Sequence, residues 1–336
     1  MKYAFFSQIR IVLAIVVMFS HAFVLTGHNE PLGSFGLGFD LGNLAVDGFF
    51  AVSGFLLYPK FFDSDVRTFL TNRIFRLLPG LCAFLLAFAC ITLFVDLVGV
   101  ISVNNLEIFS YVYTNASLMN PNRQFVINNM LLTNPVPGGI NGSLWTLTFE
   151  FWCYLFLILI GQLCKFFNAS LIIKFSIPLI ISGFLKAIAF SEGYRTTTGL
   201  EGWLFHLLPI FLVASSLGLL KSNTPPQFIN VHLKYFFLIF FSLSTLLLFF
   251  NFYFYINVLI MPTVVMLGSY LSRESKGLLA TIDPSYGMYI YAYPTTQILF
   301  HFGIHHALIN FLVTLGISII IGCLSWVIIE RKFIKR

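Results

Sequence analysis

The first apolar segment of the chain, "RIVLAIVVMFSH", begins with Arg10 and ends with His21. The two positions are eleven residues apart, which places both side chains on one face of an α-helix, about 16 Å apart along its axis. An imidazole can act as a general base towards a hydroxyl, and a guanidinium binds anions. The same residues also fit a simpler interpretation, in which His21 is a packing residue and Arg10 an interfacial anchor.

A carboxylate is expected at the depth of His21 in the membrane. Glu150 follows Trp145 by five residues in "SLWTLTFEFWCYL". With Trp145 at the outer interface, Glu150 lies about 8 Å below that surface, and His21 lies at about 9 Å. A carboxylate beside an imidazole orients the ring and stabilises its charged form. We therefore expect Glu150 and His21 to meet, either as a catalytic pair or as a buried ion pair that joins two helices.

Two arginines could bind an anion at the other side of the membrane. Arg73 and Arg76 in "NRIFRLLP" are three residues apart and share a helix face. Guanidinium groups in this arrangement suit a diphosphate, although positive residues are also expected here for topology alone. Together with Arg10, they predict a site for an anionic ligand that extends a thin arm along the bundle towards His21.

The composition indicates which elements must position these residues. The chain has 58% hydrophobic and 10% charged residues, including 41 Phe in 336 residues, so it cannot solvate a globular surface and is predicted to be an integral membrane protein. The net charge of +6 is spread between apolar segments, which argues against a nucleic-acid partner. The five cysteines show no metal or redox spacing and are interpreted as packing residues.

The predicted fold class is all-α, a polytopic membrane protein with about ten transmembrane helices. They are expected near 9–27, 44–59, 77–99, 145–163, 171–190, 203–220, 234–251, 255–272, 284–302 and 308–329. In this topology 16 Lys and Arg residues lie on one side and two on the other, which predicts that both termini are cytoplasmic and that the protein is multi-pass in the cytoplasmic (inner) membrane.

We predict a single domain over residues 1–336. The loops 28–43 and 100–144 are too short to build an independent core. The second loop is rich in asparagine, which fits either an ordinary turn-rich loop or a surface for a neutral sugar. His301, His305 and His306 lie at an outer helix end without a carboxylate at ligand spacing, so we predict no metal site.

Five motifs in order carry a resemblance to a known family. They are Arg10 with His21, "VDGFFAVSGFLL", "RIFRLLP", "SLWTLTFEFWCYL" and "DPSYGMYIYAYP". The chain resembles, over essentially its whole length, the acyltransferase-3 family of integral-membrane O-acyltransferases. The resemblance implies transfer of an acyl group, usually acetyl, from cytoplasmic acetyl-CoA or another acyl-CoA to a hydroxyl of an extracytoplasmic glycan, such as O-antigen or exopolysaccharide.

The resemblance also implies roles for particular residues. His21 would be the catalytic base with Arg10 as its partner, and Arg73 with Arg76 would contact the acyl-CoA. Asp47, Ser53 and Glu150 match family motif positions without a defined role. Many members carry a histidine in the last motif, where this chain has Ala292 and Tyr293, and many carry a fused extracytoplasmic domain, which is not expected here. The last step would then occur within the membrane domain or on a separate extracytoplasmic partner.

The expected reaction needs a base for the acceptor hydroxyl and a donor for the developing oxyanion. His21 held by Glu150 suits the first role, and Ser53 and Tyr286 are candidates for the second. Direct transfer is favoured over an acyl-enzyme, because His21 is the one strong nucleophile candidate at that depth and an acyl-imidazole there would be exposed to water on the outer side of the membrane. The main alternative is a transporter or proton-coupled carrier that uses His21 and Glu150 as a relay. The expected partners are a glycan or lipid-linked glycan acceptor and membrane lipid; no oligomeric state is indicated.

Overall fold

The computed structural model describes residues 4–35, 39–99, 102–223, 253–271 and 282–333. Its main helices are α1 (Ala4–Leu25), α2 (Leu41–Phe62), α3 (Val66–Leu97), α4 (Asn105–Ala116), α5 (Trp145–Phe166), α6 (Leu171–Glu192), α7 (Gly199–Gly202), α8 (Leu208–Asn223), α9 (Tyr253–Leu271), α10 (Ser285–His301), α11 (Ala307–Ser325) and α12 (Arg331–Phe333). A π-helical turn, Trp203–Leu207, joins α7 to α8, and a second, Trp326–Glu330, joins α11 to α12.

Within these residues, seven helices are long and apolar enough to cross a membrane. Their mean hydropathy lies between 1.4 and 2.5, and they are apolar around most of their circumference, as membrane helices are. This confirms the prediction of an all-α polytopic membrane protein. The predicted span 234–251 lies outside the described residues, and the number of spans and the side of the termini stay predictions.

Short polar residues set where the helices begin. Asp40 accepts a hydrogen bond from the Asn43 backbone N–H at 2.6 Å and caps α2. Asp65 does the same for α3 through Thr68 at 2.8 Å, because a carboxylate satisfies an N–H that the first helical turn leaves free. The cap at Asp65 starts α3 at Val66 and not near residue 77 as predicted, so Arg73 and Arg76 lie within the helix.

The packing of α2 against α8 forms the centre of the bundle. The two helices approach closely because each places a glycine at the crossing. A Cβ atom on Gly54 would collide with the Phe211 carbonyl oxygen, and a Cβ on Gly218 would collide with that of Phe55. Small residues at a crossing let two membrane helices pack backbone to backbone. This close packing fixes the position of α2 relative to α8, and therefore the directions in which the α2 side chains point towards the neighbouring helices.

The two ends of the bundle differ in charge. α1 and α3 begin, and α2 and α5 end, at what we call the basic end, defined by Arg10, Lys60, Arg73, Arg76 and Lys165. Lys165 donates to the backbone carbonyls of Phe61 and Ser64, at 3.0 and 2.8 Å, and ties the ends of α2 and α5 together. The opposite end carries the long connection between α3 and α5.

That connection is more ordered than the sequence predicted, since it contains α4 and folds back onto the helices. Three of its asparagines are buried and donate to backbone carbonyls: Asn115 to Tyr111, Asn134 to Gln297 and Asn141 to Ile290. These contacts indicate that the three asparagines hold the connection in place, and do not form a surface for a neutral sugar.

Arg123 is a second fixed point of the same connection. It is buried and donates to Thr148 Oγ1 at 2.8 Å and to the Asn115 carbonyl at 2.7 Å. Burial lowers the pKa of Arg123 to about 10, so its guanidinium stays charged at neutral pH. Arg123 therefore holds the connection against α5.

Candidate active site

A cavity of about 270 Å³ opens among α1, α2, α3, α5 and α10 near the basic end. Four cationic side chains and two carboxylates line it: Arg10, Lys60, Arg73, Arg76, Glu150 and Asp283. The excess of positive charge in a partly buried space favours an anionic ligand. The structure thus brings together the three arginines that the sequence predicted to share a site.

Asp283 holds two of these arginines in place. Its Oδ2 atom is 2.9 Å from Arg76 Nη2 and 3.6 Å from Arg10 Nη1, and Arg76 Nη1 is also 3.9 Å from Glu330 Oε2. Burial alone would raise the pKa of Asp283, but Arg76, Arg10 and the hydrogen bonds from Ser285 hold that pKa below its usual range. Arg76 is therefore shared between two carboxylates of the protein, which leaves fewer of its N–H donors for a ligand.

Arg73 differs from Arg10 and Arg76 in its partners. Within the described part of the chain, no carboxylate lies within 4.0 Å of its guanidinium, and its Nε is buried without a hydrogen-bond partner. The guanidinium carbon lies 5.9 Å from the centre of the Phe69 ring. A buried N–H donor without a partner is costly, so Arg73, whose Nε is such a donor, is the residue of the cavity best suited to bind a phosphate.

Glu150 joins two hydroxyl groups deeper in the cavity. Ser53 Oγ donates to Glu150 Oε1 at 3.1 Å, and the Tyr154 hydroxyl donates to the same oxygen. All three residues line the cavity. Tyr286 also lines it, but its hydroxyl donates to the Leu77 carbonyl at 2.5 Å. The Tyr286 hydroxyl proton is thus already engaged by a backbone carbonyl, which argues against the predicted role of Tyr286 as an oxyanion donor.

His21 lies one helical turn beyond the cavity. Its ring contacts the Tyr293 ring edge to face, with centres 5.2 Å apart, and Tyr289, one turn earlier on α10, lines the cavity. His21 Nδ1 is buried without a hydrogen-bond partner, and no hydrogen bond or ion pair joins it to Glu150 in the described residues. The predicted contact between His21 and Glu150 is not what the structure shows, because Glu150 is held by Ser53 and Tyr154.

Asp47 belongs to a second polar cluster, away from the cavity. Its two carboxylate oxygens lie 2.9 and 3.0 Å from His206 Nε2, and Asn257 Nδ2 donates to Oδ2. The three side chains are buried, and His206 sits in the π-helical turn before α8. Sequence reasoning missed His206 and Asn257 because they are 159 and 210 residues from Asp47. The available signal was that each of them is a polar residue inside an otherwise apolar segment.

This cluster predicts a stability effect. Asp47→Ala leaves His206 and Asn257 buried without their carboxylate, and loss of one partner of a buried pair costs about 3–5 kcal/mol. We expect a clearly lower midpoint of thermal unfolding in detergent. Asp63→Ala, at the exposed end of the same helix, is the matched control and should leave the midpoint unchanged. An unchanged midpoint for Asp47→Ala would contradict the structural role of the cluster.

The fold and the site together define a class: a polytopic helical membrane protein with a cation-lined cavity at one end. Comparison with known proteins then identifies the family. Residues 3–330 match the acyltransferase-3 family, described as an acyltransferase domain, so the chain belongs to this family and is an acyltransferase. The chain is 27% identical over 356 residues to a protein named O-acetyl transferase from Shigella phage Sf6, over 98% of this chain and 96% of that protein. No solved structure matches the chain.

Proposed function

We propose that the protein is an O-acetyltransferase that moves an acetyl group from cytoplasmic acetyl-CoA to a hydroxyl of an extracytoplasmic glycan. The observation that carries the proposal is the cavity at the basic end, where Arg73 has no carboxylate partner in the described residues and Glu150 faces the same space. The name of the phage relative supports an acetyl group and an oxygen acceptor.

The donor would enter from the basic end. Arg73 and Lys60 would bind its phosphates, and Arg10, which is held by its ion pair with Asp283, would add a third positive charge. Cavities for small ligands are commonly about 300–1,000 Å³. At about 270 Å³, this cavity suits the acyl group and part of the thin arm of acetyl-CoA, with the nucleotide at the surface. This arrangement requires the basic end to be cytoplasmic, as the distribution of Lys and Arg predicts.

The acceptor would approach from the opposite end, where His21 lies. The neutral imidazole can take the proton of a sugar hydroxyl. The acceptor class we propose is a surface glycan or its lipid-linked precursor, such as O-antigen or exopolysaccharide, in the cytoplasmic membrane of a bacterial cell.

The test uses membranes that contain the full-length protein. They are supplied with acetyl-CoA that is radiolabelled in the acetyl group, and label is measured in surface polysaccharide, with free CoA measured in parallel. We expect both to accumulate, and both to accumulate about ten- to a hundredfold more slowly with Arg73→Ala at low donor concentration. If solute uptake appears while labelled glycan and free CoA do not, the protein is a transporter and the proposal is overturned.

Glu150→Gln tests the carboxylate within the same assay. The amide keeps the shape of the side chain but cannot accept a proton, so we expect kcat to fall by about 10²–10⁴, with donor affinity within about threefold of the parent. Single-turnover transfer and acetyl-CoA binding by purified protein in nanodiscs measure the two effects separately. Unchanged turnover would show that Glu150 only positions its hydroxyl partners.

A further inference from the structure

Ser53 makes an unusual contact for a serine in a membrane helix. A helical serine commonly donates back to a carbonyl one turn earlier, whereas Ser53 donates to the carboxylate of Glu150, 97 residues away on α5. A hydroxyl within hydrogen-bond reach of a carboxylate is the arrangement that activates a nucleophile. Both groups line the cavity that we assign to the donor.

The position of Ser53 within the bundle adds a second argument. Ser53 lies seven residues from Lys60 on α2, about 10 Å along the helix from the basic end of the cavity. His21 lies about 16 Å from Arg10 along α1. A thioester held at the basic end therefore reaches Ser53 before it reaches the level of His21.

An aromatic pair lines the cavity on the side of Ser53 that faces away from the basic end. Phe49, one turn beyond Ser53 on α2, contacts Tyr289 edge to face with ring centres 5.7 Å apart. The Tyr289 hydroxyl is fixed by Thr146 Oγ1 at 2.9 Å and donates to the Ser143 carbonyl at 3.1 Å. Phe49 and Tyr289 line the cavity and His21 does not. Along the bundle, the pair is therefore one turn from Ser53 on α2 and one turn from Tyr293, the ring that His21 contacts, on α10.

We propose that Ser53 is an acyl carrier, so that the reaction proceeds in two steps through an acyl-enzyme. This inference rests on the proposed function and replaces the direct transfer that the sequence favoured. Its new element is the covalent site: a serine that receives the acyl group from the donor and passes it to the acceptor.

In the first step, the Ser53 Oγ attacks the thioester carbonyl. The bond between Oγ and the acyl carbon forms, and the bond between that carbon and sulfur breaks. Glu150 takes the Ser53 proton and passes it to the departing sulfur, so that free CoA leaves as a thiol. An oxygen ester replaces a thioester, and no oxidant, reductant or further co-reactant is needed.

In the second step, the acceptor hydroxyl enters from the end where His21 lies and attacks the acyl carbon. The new bond between the acceptor oxygen and the acyl carbon forms, and the bond to Ser53 Oγ breaks. His21 takes the acceptor proton and gives it to the departing Ser53 Oγ, which restores the serine hydroxyl and the neutral imidazole.

Tyr154 is the other hydroxyl on Glu150, and chemistry separates the two. A phenol has a pKa of about 10, which makes its ester a reactive acyl donor that water can cleave. An aliphatic serine ester is more stable and can wait for the acceptor. The same Tyr154 contact keeps the Glu150 carboxylate directed towards Ser53.

The experiment incubates purified full-length protein in nanodiscs with acetyl-CoA, radiolabelled in the acetyl group, and no acceptor. We expect a burst of about one CoA per active protein, protein-bound label after acid quench, and an acetyl group on the peptide that contains Ser53. Ser53→Ala should lose the burst and the label. Ser318→Ala is the matched control, because Ser318 is buried on α11, has no hydrogen-bond partner among the described residues and does not line the cavity.

Ser53→Cys guards against a variant that only fails to fold. It should keep a burst, but the label should become a thioester that neutral hydroxylamine removes rapidly. Acetylation of glycan that persists in Ser53→Ala, or label on His21 or Tyr154, would overturn the carrier. If the parent binds no acetyl-CoA and acetylates no glycan, the proposed function itself fails. If it acetylates glycan without a burst or label, the function stands and transfer is direct.

Discussion

His21→Ala is expected to lower kcat by about 10²–10⁴ while acetyl-CoA still binds with parental affinity. The loss is the contribution of a positioned general base. Donor affinity should be retained because His21 does not line the cavity at the basic end. Removal of one polar group from an apolar helix favours insertion into the membrane, so expression should be unaffected. Acetyl-CoA binding and single-turnover transfer in nanodiscs measure the two quantities.

The same variant also links His21 to the carrier. If His21 serves only the second step, His21→Ala should still give the burst of CoA and should accumulate acetyl-Ser53, with little transfer to glycan. His305→Ala is the matched control, since His305 is an exposed histidine in the connection between α10 and α11, with its ring tilted against Phe300. Loss of expression without a change in specific activity would show that His21 is a packing residue.

Much of the architecture could be predicted because a membrane constrains each segment separately. An apolar stretch of sufficient length must form a helix, since lipid offers its backbone no other hydrogen-bond partner. The helices α1, α2, α5 and α6 therefore lie where the hydrophobic segments predicted them. The grouping of Arg10, Arg73 and Arg76 was also predictable, because all three are basic residues near the ends of apolar segments, on one side of the predicted topology.

The partners of each charge could not be predicted in the same way. Asp283 holds Arg10 and Arg76 from 273 and 207 positions away in sequence, and the Asp47 pairing with His206 depends on how α2 crosses α8. The depth of Glu150 was estimated along its own helix, but its direction depends on which neighbour it faces. Whether Glu150 faces Ser53 or His21 depends on the rotation of α5 about its own axis, and hydrophobicity alone does not fix that rotation.

Arg73→Ala is expected to raise the dissociation constant for acetyl-CoA by about ten- to a hundredfold. The variant removes charge-assisted contacts to the phosphates, which are worth about 1.5–3 kcal/mol. If the phosphates bind equally in ground and transition states, kcat should fall much less than the affinity. Arg73→Lys should recover only part of the affinity, because an ammonium keeps the charge but loses the paired donors of the guanidinium.

Arg67→Ala is the matched control for Arg73→Ala, since Arg67 is exposed on the same helix and does not line the cavity. The dissociation constant of Arg67→Ala for acetyl-CoA should equal that of the parent.

Arg76→Ala should behave differently from both variants. It leaves Asp283 and Glu330 buried without their shared cation, so its main effect should be a lower unfolding temperature. Because Arg10 and Arg76 are engaged by Asp283, we expect the affinity for the proposed donor to depend chiefly on Arg73. Parental affinity in Arg73→Ala would show that this arginine serves topology alone, and that the phosphates bind elsewhere on the basic end.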